Sequence, residues 1–292
     1  MLPRVAVPAA RSQRVTAALP VIATLAAFAL LFAAPAGSLA RDWWHDPEAG
    51  HGLLLAPVAG WLAWQSGLAP ERRPATGLGV TLLLAAVVLR YAGALAAELY
   101  SSRVSIVMAL AGCVLIYAGM AQLKRWWLPL LLLCLAIPLP SLVINSIALP
   151  LQFLASAAGA WLLDLRGVPV RLTGNVIHLP GHQLFVTEAC SGLRSLVALL
   201  SLGVLLAGLW LRTPVGRVLL VAAAIPVAIA VNAVRVFLTG FLVYYVSPTM
   251  GEGFLHATEG WLLFLIALGA LAGLTGMVAA VERSRSSRAA HA

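Results

Sequence analysis

Charge is what this 292-residue chain has least of: Asp, Glu, Lys and Arg together make up 10% of it, where soluble domains carry about a quarter. With 62% hydrophobic residues and a mean hydropathy of +0.97, that scarcity excludes a water-soluble globule. Acid is scarcer than base, 10 Asp and Glu against 19 Lys and Arg, for a net charge of +9. Such a surplus suits nucleic acid only if it forms a patch; here the cations cluster at the ends of apolar runs, where they set membrane orientation, so a nucleic-acid partner is excluded. Cysteine is nearly absent. Three residues, with Cys113 and Cys134 inside apolar runs as packing residues, leave no disulfide framework and no spaced metal-ligand set. His45 and His51 lack a regular ligand spacing and read as loop residues. Neither a metal nor any other cofactor is expected.

What the chain does have is apolar runs of about 20 residues, recurring from Ala17 to Ala280. Barrel strands would be short and alternating, so the fold class is an all-α polytopic membrane protein with about eight transmembrane helices. The first span follows Arg4, Arg11 and Arg14, with the N-terminus inside and no cleavage. Spans at about 52–67, 77–97 and 104–123 follow, separated by the basic turn Glu71-Arg72-Arg73 and an outer loop, Glu98 to Arg103; Arg90 either snorkels or lines a cavity. Pro138, Pro140 and Pro150 interrupt the next apolar stretch. Keeping the basic tail Arg283 to Arg288 inside requires only one crossing here, so the fifth span ends near Pro140 and Ser141 to Leu165 is interfacial or re-entrant. The expected organisation is a four-span region over 1–127, a membrane core over 128–281 and a basic cytoplasmic tail over 282–292.

From Gly167 to Glu188 apolar and polar residues alternate between the turn signals Gly174-Asn175 and Pro180-Gly181. Two or three short strands are expected there, as a small β-like extracytoplasmic cap in which His178 and His182 are solvated. The cap leads into Cys190. A helix beginning there and running to about Trp210 would set the positive end of its dipole at the thiol and favour thiolate. Taken alone, a cysteine in a membrane protein is more often a packing residue. Arg235 lies 18 residues beyond Arg217 in one span, about 27 Å at 1.5 Å per residue, and so reaches the outer leaflet, where His256 opens the last span. Cys190, Arg235 and His256 are together a nucleophile, a fixed cation and a titratable base, the parts of acyl transfer. Asn232 and Glu259, three residues from Arg235 and His256, share their helix faces. Asn232 can hold the guanidinium, and Glu259 can orient the imidazole. Glu188, Ser191 and Gly192 complete the polar cluster around the thiol, and Arg194 serves either an acidic substrate group or Glu188.

The stretch Glu188-Ala189-Cys190-Ser191-Gly192-Leu193-Arg194-Ser195-Leu196, the Asn232-Ala233-Val234-Arg235 motif and His256 resemble the exosortase/archaeosortase family of membrane transpeptidases. The likeness covers roughly Leu128 to Gly260, including the Pro-Leu-Pro turn at Pro138 and Gly167-Val168-Pro169-Val170; the first four spans match only in hydrophobicity. The family's catalytic Cys, Arg and His fall on Cys190, Arg235 and His256. The resemblance implies a cysteine protease and transpeptidase of the bacterial inner membrane, with its active site facing the periplasm and both termini cytoplasmic. It cuts a C-terminal sorting signal, made of a short motif such as Pro-Glu-Pro, one transmembrane helix and a basic end, from exported proteins. It passes them through a thioester to an acyl acceptor, often beside exopolysaccharide synthesis. Membrane lipid is the other expected partner. The competing reading is a transporter or assembly subunit for lipid-linked saccharide with Arg90, Arg194 and Arg235 along a polar path; the internal repeats and midplane site of transporters are not found.

Overall fold

The computed structural model describes residues 9–46, 48–186, 192–251 and 254–291, with side chains over 19–46, 48–186, 192–249 and 261–287. Chain contacts divide it into two units, Met1–Pro138 and Leu139–Ala292. Among the described residues seven helical stretches are long and apolar enough to cross a bilayer, three in the first unit and four in the second. The structure is thus all-α and polytopic, with one small three-stranded sheet.

In the first unit the helices are α1 (Ala9–His45), α2 (Gly52–Ser66), α3 (Thr76–Leu95), α4 (Leu99–Tyr117), α5 (Gly119–Arg125) and α6 (Trp127–Leu135). α3 and α4 form the tightest pair. Their seam is made of small residues: a Cβ on Gly79 would stand 2.8 Å from the Gly112 carbonyl oxygen, so the two backbones touch where larger side chains would hold them apart. Of the residues expected as an outer loop, Glu98 is instead the N-cap of α4 and Leu99 to Arg103 are its first residues. The Glu98 carboxylate accepts from the N–H of Tyr100 (2.8 Å) and Ser101 (2.6 Å), which caps the helix. Arg103, 4% exposed, forms an ion pair with Asp42 of α1 at 2.6 Å and also donates to Ser38. Arg90 donates through Nε to the Leu31 carbonyl and its guanidinium lies over the Tyr91 ring. Both ring nitrogens of His51 lie within hydrogen-bond distance of carbonyl oxygens, of Glu48 and Leu135, and the Trp43 indole donates to the Ala136 carbonyl.

Two expected spans in this unit are short. α2 has 15 residues and α6 has 9, about 22 and 13 Å at 1.5 Å per residue, well under a 30 Å hydrocarbon core. α6 is short because the chain breaks at Trp126 before it and turns toward Pro138 after it. The two helices pack on one another.

The second unit holds α7 (Ser141–Leu165), β1 (Arg171–Thr173), β2 (Val176–Leu179), β3 (His182–Phe185), α8 (Leu193–Trp210), α9 (Pro214–Tyr245), a 3-10 turn at Pro248–Gly251 and α10 (Phe254–His291). α7 is the helix expected to be interfacial or re-entrant. It runs unbroken for 25 residues with Pro150 inside it, roughly 37 Å, long enough to cross. A proline removes one donor and is tolerated in apolar helices when neighbours support the freed carbonyl. α9 is the hub, with α7, α8 and α10 each packed against it.

The sheet is an antiparallel meander in the order β1-β2-β3, with its turns at the two glycine signals, 174–175 and 180–181. Its inward residues Ile177, Leu179 and Val186 join Leu163 of α7 and Val236 and Val243 of α9 in one buried cluster. Ser156 donates to the Gly174 carbonyl (3.3 Å) and Asn175 to Gln152 of α7 (3.2 Å), which ties the first turn to the helix. At the other end of α9, the Glu282 carboxylate on α10 accepts from the N–H of Arg212 (2.9 Å) and Thr213 (3.2 Å) and from the Thr213 hydroxyl. The sheet and this cluster therefore stand at opposite ends of the second unit.

Candidate active site

Arg235 sits half-buried on α9, where two clefts meet. One opens toward α8 and α10 and is lined by Ser195, Leu199, Asn232, Leu263 and Ala267. The other opens toward the sheet, where Leu184, Phe185 and Val186 face Val236 and Thr239. The backbone beneath the guanidinium is held by the Thr239 hydroxyl, which donates to the Arg235 carbonyl at 2.9 Å.

Asn232, 7% exposed, lies one turn before Arg235 on the same face. Gly192 packs directly on it. A Cβ there would come within 2.6 Å of the Asn232 Cγ and 2.9 Å of its Cβ and Nδ2, and the backbone is left-handed at φ +81°. Both constraints select glycine. Gly192 is the N-cap of α8 and its carbonyl accepts the first bond of that helix, from the N–H of Leu196 at 2.8 Å. α8 thus begins at Leu193, three positions after Cys190, with the left-handed Gly192 as its N-cap. Arg194 stands exposed in the first turn of α8.

Glu188, Cys190 and Ser191 lie outside the described residues. What the structure describes is the chain on either side of them: Val186 borders the sheet-side cleft of Arg235, and Gly192 rests on Asn232. His256 and Glu259 belong to the described backbone of α10, and their side chains lie outside the description. Position 256 is in the first turn of α10. It precedes Leu263 and Ala267, which line the Arg235 cleft, by 7 and 11 residues, spacings that return to one helix face. Position 259 is on the adjoining face.

Of the residues expected from sequence, the structure brings Arg235, Asn232 and Gly192 together and puts Arg194 two residues after Gly192 in the first turn of α8. It adds Ser195 and Thr239, which sequence reasoning passed over. Their signal was helical spacing: Ser195 lies three residues after Gly192 and Thr239 four after Arg235.

The family model described as transmembrane exosortase matches residues 43–273. No curated protein and no solved structure matches the chain. The family match runs from the end of α1 into the last helix and takes in both units and the whole Arg235 site, and on that ground the chain belongs to the transmembrane exosortase family.

Proposed function

We propose that this exosortase is a cysteine transpeptidase in which Cys190 attacks an amide of an exported protein and Arg235 and His256 assist. The observation that carries the reading is the bracketing of residues 187–191: Val186 on one side and Gly192 on the other both adjoin the Asn232–Arg235 face of α9. Covalent geometry alone keeps the Cα of Cys190 within about 7 Å of that of Gly192.

In this mechanism the Cys190 thiolate adds to the carbonyl carbon, and the carbonyl electron pair moves to oxygen. The Arg235 guanidinium, with several donors in one plane, stabilises that oxyanion. His256 takes the thiol proton and returns it to the leaving nitrogen as the C–N bond breaks. The departing piece carries the substrate's apolar helix and basic end, and the remainder is held as a thioester on sulfur. An acceptor amine or hydroxyl then displaces the sulfur and gives its proton to His256. Because the helix of α8 starts three residues downstream, thiolate formation rests more on the cations Arg194 and Arg235 than on the helix dipole, whose effect fades beyond one turn. Asn232 and Glu259 are positioning residues for Arg235 and His256.

We place the sheet end of the second unit at the periplasmic face of an inner membrane and the tail in the cytoplasm. The support is that Arg212, Arg217, Arg283 and Arg285 gather at the end marked by Glu282, as the positive-inside rule requires. Cysteines introduced at Thr173 and Arg285 test it: an impermeant maleimide added to spheroplasts is expected to label the first and spare the second.

The chemistry is tested with a tagged exported protein ending in a short motif, one apolar helix and a basic end. Starved of acceptor, wild-type enzyme is expected to give a band of summed mass that hydroxylamine cleaves and Cys190→Ala lacks. Arg235→Lys keeps the charge but loses the planar fork and is expected to stop processing at normal membrane levels. A Cys190→Ala variant that still shortens the substrate refutes the reading.

A further inference from the structure

β3 is an edge strand. The sheet order is β1-β2-β3, and among the described residues no strand lies beyond it. In an antiparallel ladder each residue sends its N–H and C=O to the same side, and successive residues alternate sides. The phase is given by Val186, whose N–H donates to the Asn175 carbonyl at 3.0 Å. Counting back by twos, Leu184 opposite Ile177 and His182 opposite Leu179 share that phase and point their backbone groups at β2. Gln183 and Phe185 therefore direct theirs the other way, to the open edge.

The surroundings of the two edges differ. α7 packs against β1 and β2. β3 instead fronts the cleft that Leu184, Phe185 and Val186 form with Arg235, Val236 and Thr239. Phe185 is 58% exposed there. An edge strand that is exposed and aromatic is a template for another strand, and this one continues within five residues to Cys190.

We propose that the open edge of β3 is the docking strip for the substrate, whose extended segment before the scissile bond pairs with Gln183 and Phe185 as a fourth strand. The inference rests on the transpeptidase reading and adds to it a binding mode, that of an extended peptide. The chemistry of the strip selects that mode. An edge offers N–H and C=O groups repeating every two residues, about 7 Å, which is the repeat of an extended backbone and of neither an acyl chain nor a saccharide. The strip also sets a ruler. Five residues from Phe185 to Cys190 span at most about 18 Å, so the paired stretch lies within about five residues of the bond that is cut. Arg235, bordering the same cleft, meets the carbonyl where pairing ends.

Cysteine crosslinking reads the pairing directly. Gln183→Cys is introduced into enzyme carrying Cys113→Ala, Cys134→Ala and Cys190→Ala. A tagged exported protein is co-expressed with single cysteines at ten successive positions before its apolar helix. Mild oxidation should give disulfides at every second position over a run of three or more, with in-phase yields about fivefold above their neighbours, since side chains alternate across a strand. A period of three to four, the mark of a docked helix, or yields without a period overturn the proposal. As a second measurement, Phe185→Pro removes one outward N–H and leaves the ladder to β2 intact. It is expected to lower kcat/KM by about tenfold, mainly through KM, as the loss of one buried hydrogen bond does, while Phe185→Ala changes it less; equal effects overturn the proposal. The parent reading fails separately: if enzyme with Cys190 intact does not shorten the same tagged protein, the transpeptidase assignment falls, whereas shortening without the alternating pattern removes only the docking strip.

Discussion

Replacing Gly192 with alanine tests the contact on which the site's geometry depends. Two costs combine. A residue with a Cβ held at φ +81° loses about 1–2 kcal/mol to left-handed sterics. The new methyl would stand 2.6 Å from Cγ and 2.9 Å from Cβ of Asn232, which is 7% exposed, and forcing such a contact costs about 1–3 kcal/mol. The total, roughly 2–5 kcal/mol, corresponds to a fall in Tm on the order of 10 °C for a chain of this size. Gly181→Ala is the matched control. Its φ is +78° and a Cβ there meets nothing within 4 Å, so only the conformational cost applies, roughly 1–2 kcal/mol and a few degrees. Thermal unfolding of both variants in detergent, followed by tryptophan fluorescence, separates the terms. Adding Asn232→Ala to Gly192→Ala removes the Cγ contact but keeps the one at Cβ, so it should restore part of the difference. If Gly192→Ala melts with Gly181→Ala, α8 does not rest on Asn232 as described and the bracketing of residues 187–191 loses one anchor.

Two further predictions concern the first unit. Asp42→Ala leaves the guanidinium of Arg103 almost wholly buried beside an emptied site, while Arg103→Met leaves a carboxylate whose side chain is 38% exposed and can hydrate. The first should cost about 3–5 kcal/mol and the second clearly less; equal losses in Tm would mean that burial of Arg103 does not govern the pair. Hydrogen bonding by the Ser101 side chain first, then by the backbone N–H of Ser101 and Tyr100, holds the Glu98 carboxyl below its ordinary value of 4.5. The cap therefore stabilises above that value and fades as pH falls through the lowered one. Glu98→Ala should cost about 1 kcal/mol at pH 7, and its Tm deficit should shrink in strongly acidic buffer; a deficit independent of pH would show that the carboxylate charge plays no part.

Much of the fold was legible because bilayers constrain composition so strongly. Every backbone polar group in hydrocarbon must be satisfied within its own element, so apolar runs of sufficient length become helices whatever surrounds them. α3, α4 and the end of α8 at Trp210 followed from that rule. The strands were legible for a different reason, a period of two between glycine turn signals, and the turns fell on those glycines. The misread elements are those whose ends hydropathy does not mark. Glu98 and Arg103 look like loop residues in a charge count. Their partners, the N–H groups of the following turn and Asp42 sixty-one residues away, make the first a helix cap and hold the second within the helix.

By itself the sequence determined the membrane class and the alternation that makes the sheet, and it picked out the candidate polar motifs, since each depends on composition or on neighbours within a few residues. Only the tertiary structure decided that Gly192 rests on Asn232, that Arg235 stands between a cleft toward α8 and α10 and another toward β3, and that β3 rather than β1 fronts that second cleft. Those relations join residues tens of positions apart, and they arise from how α9 packs with three other helices and a sheet, which no local pattern encodes.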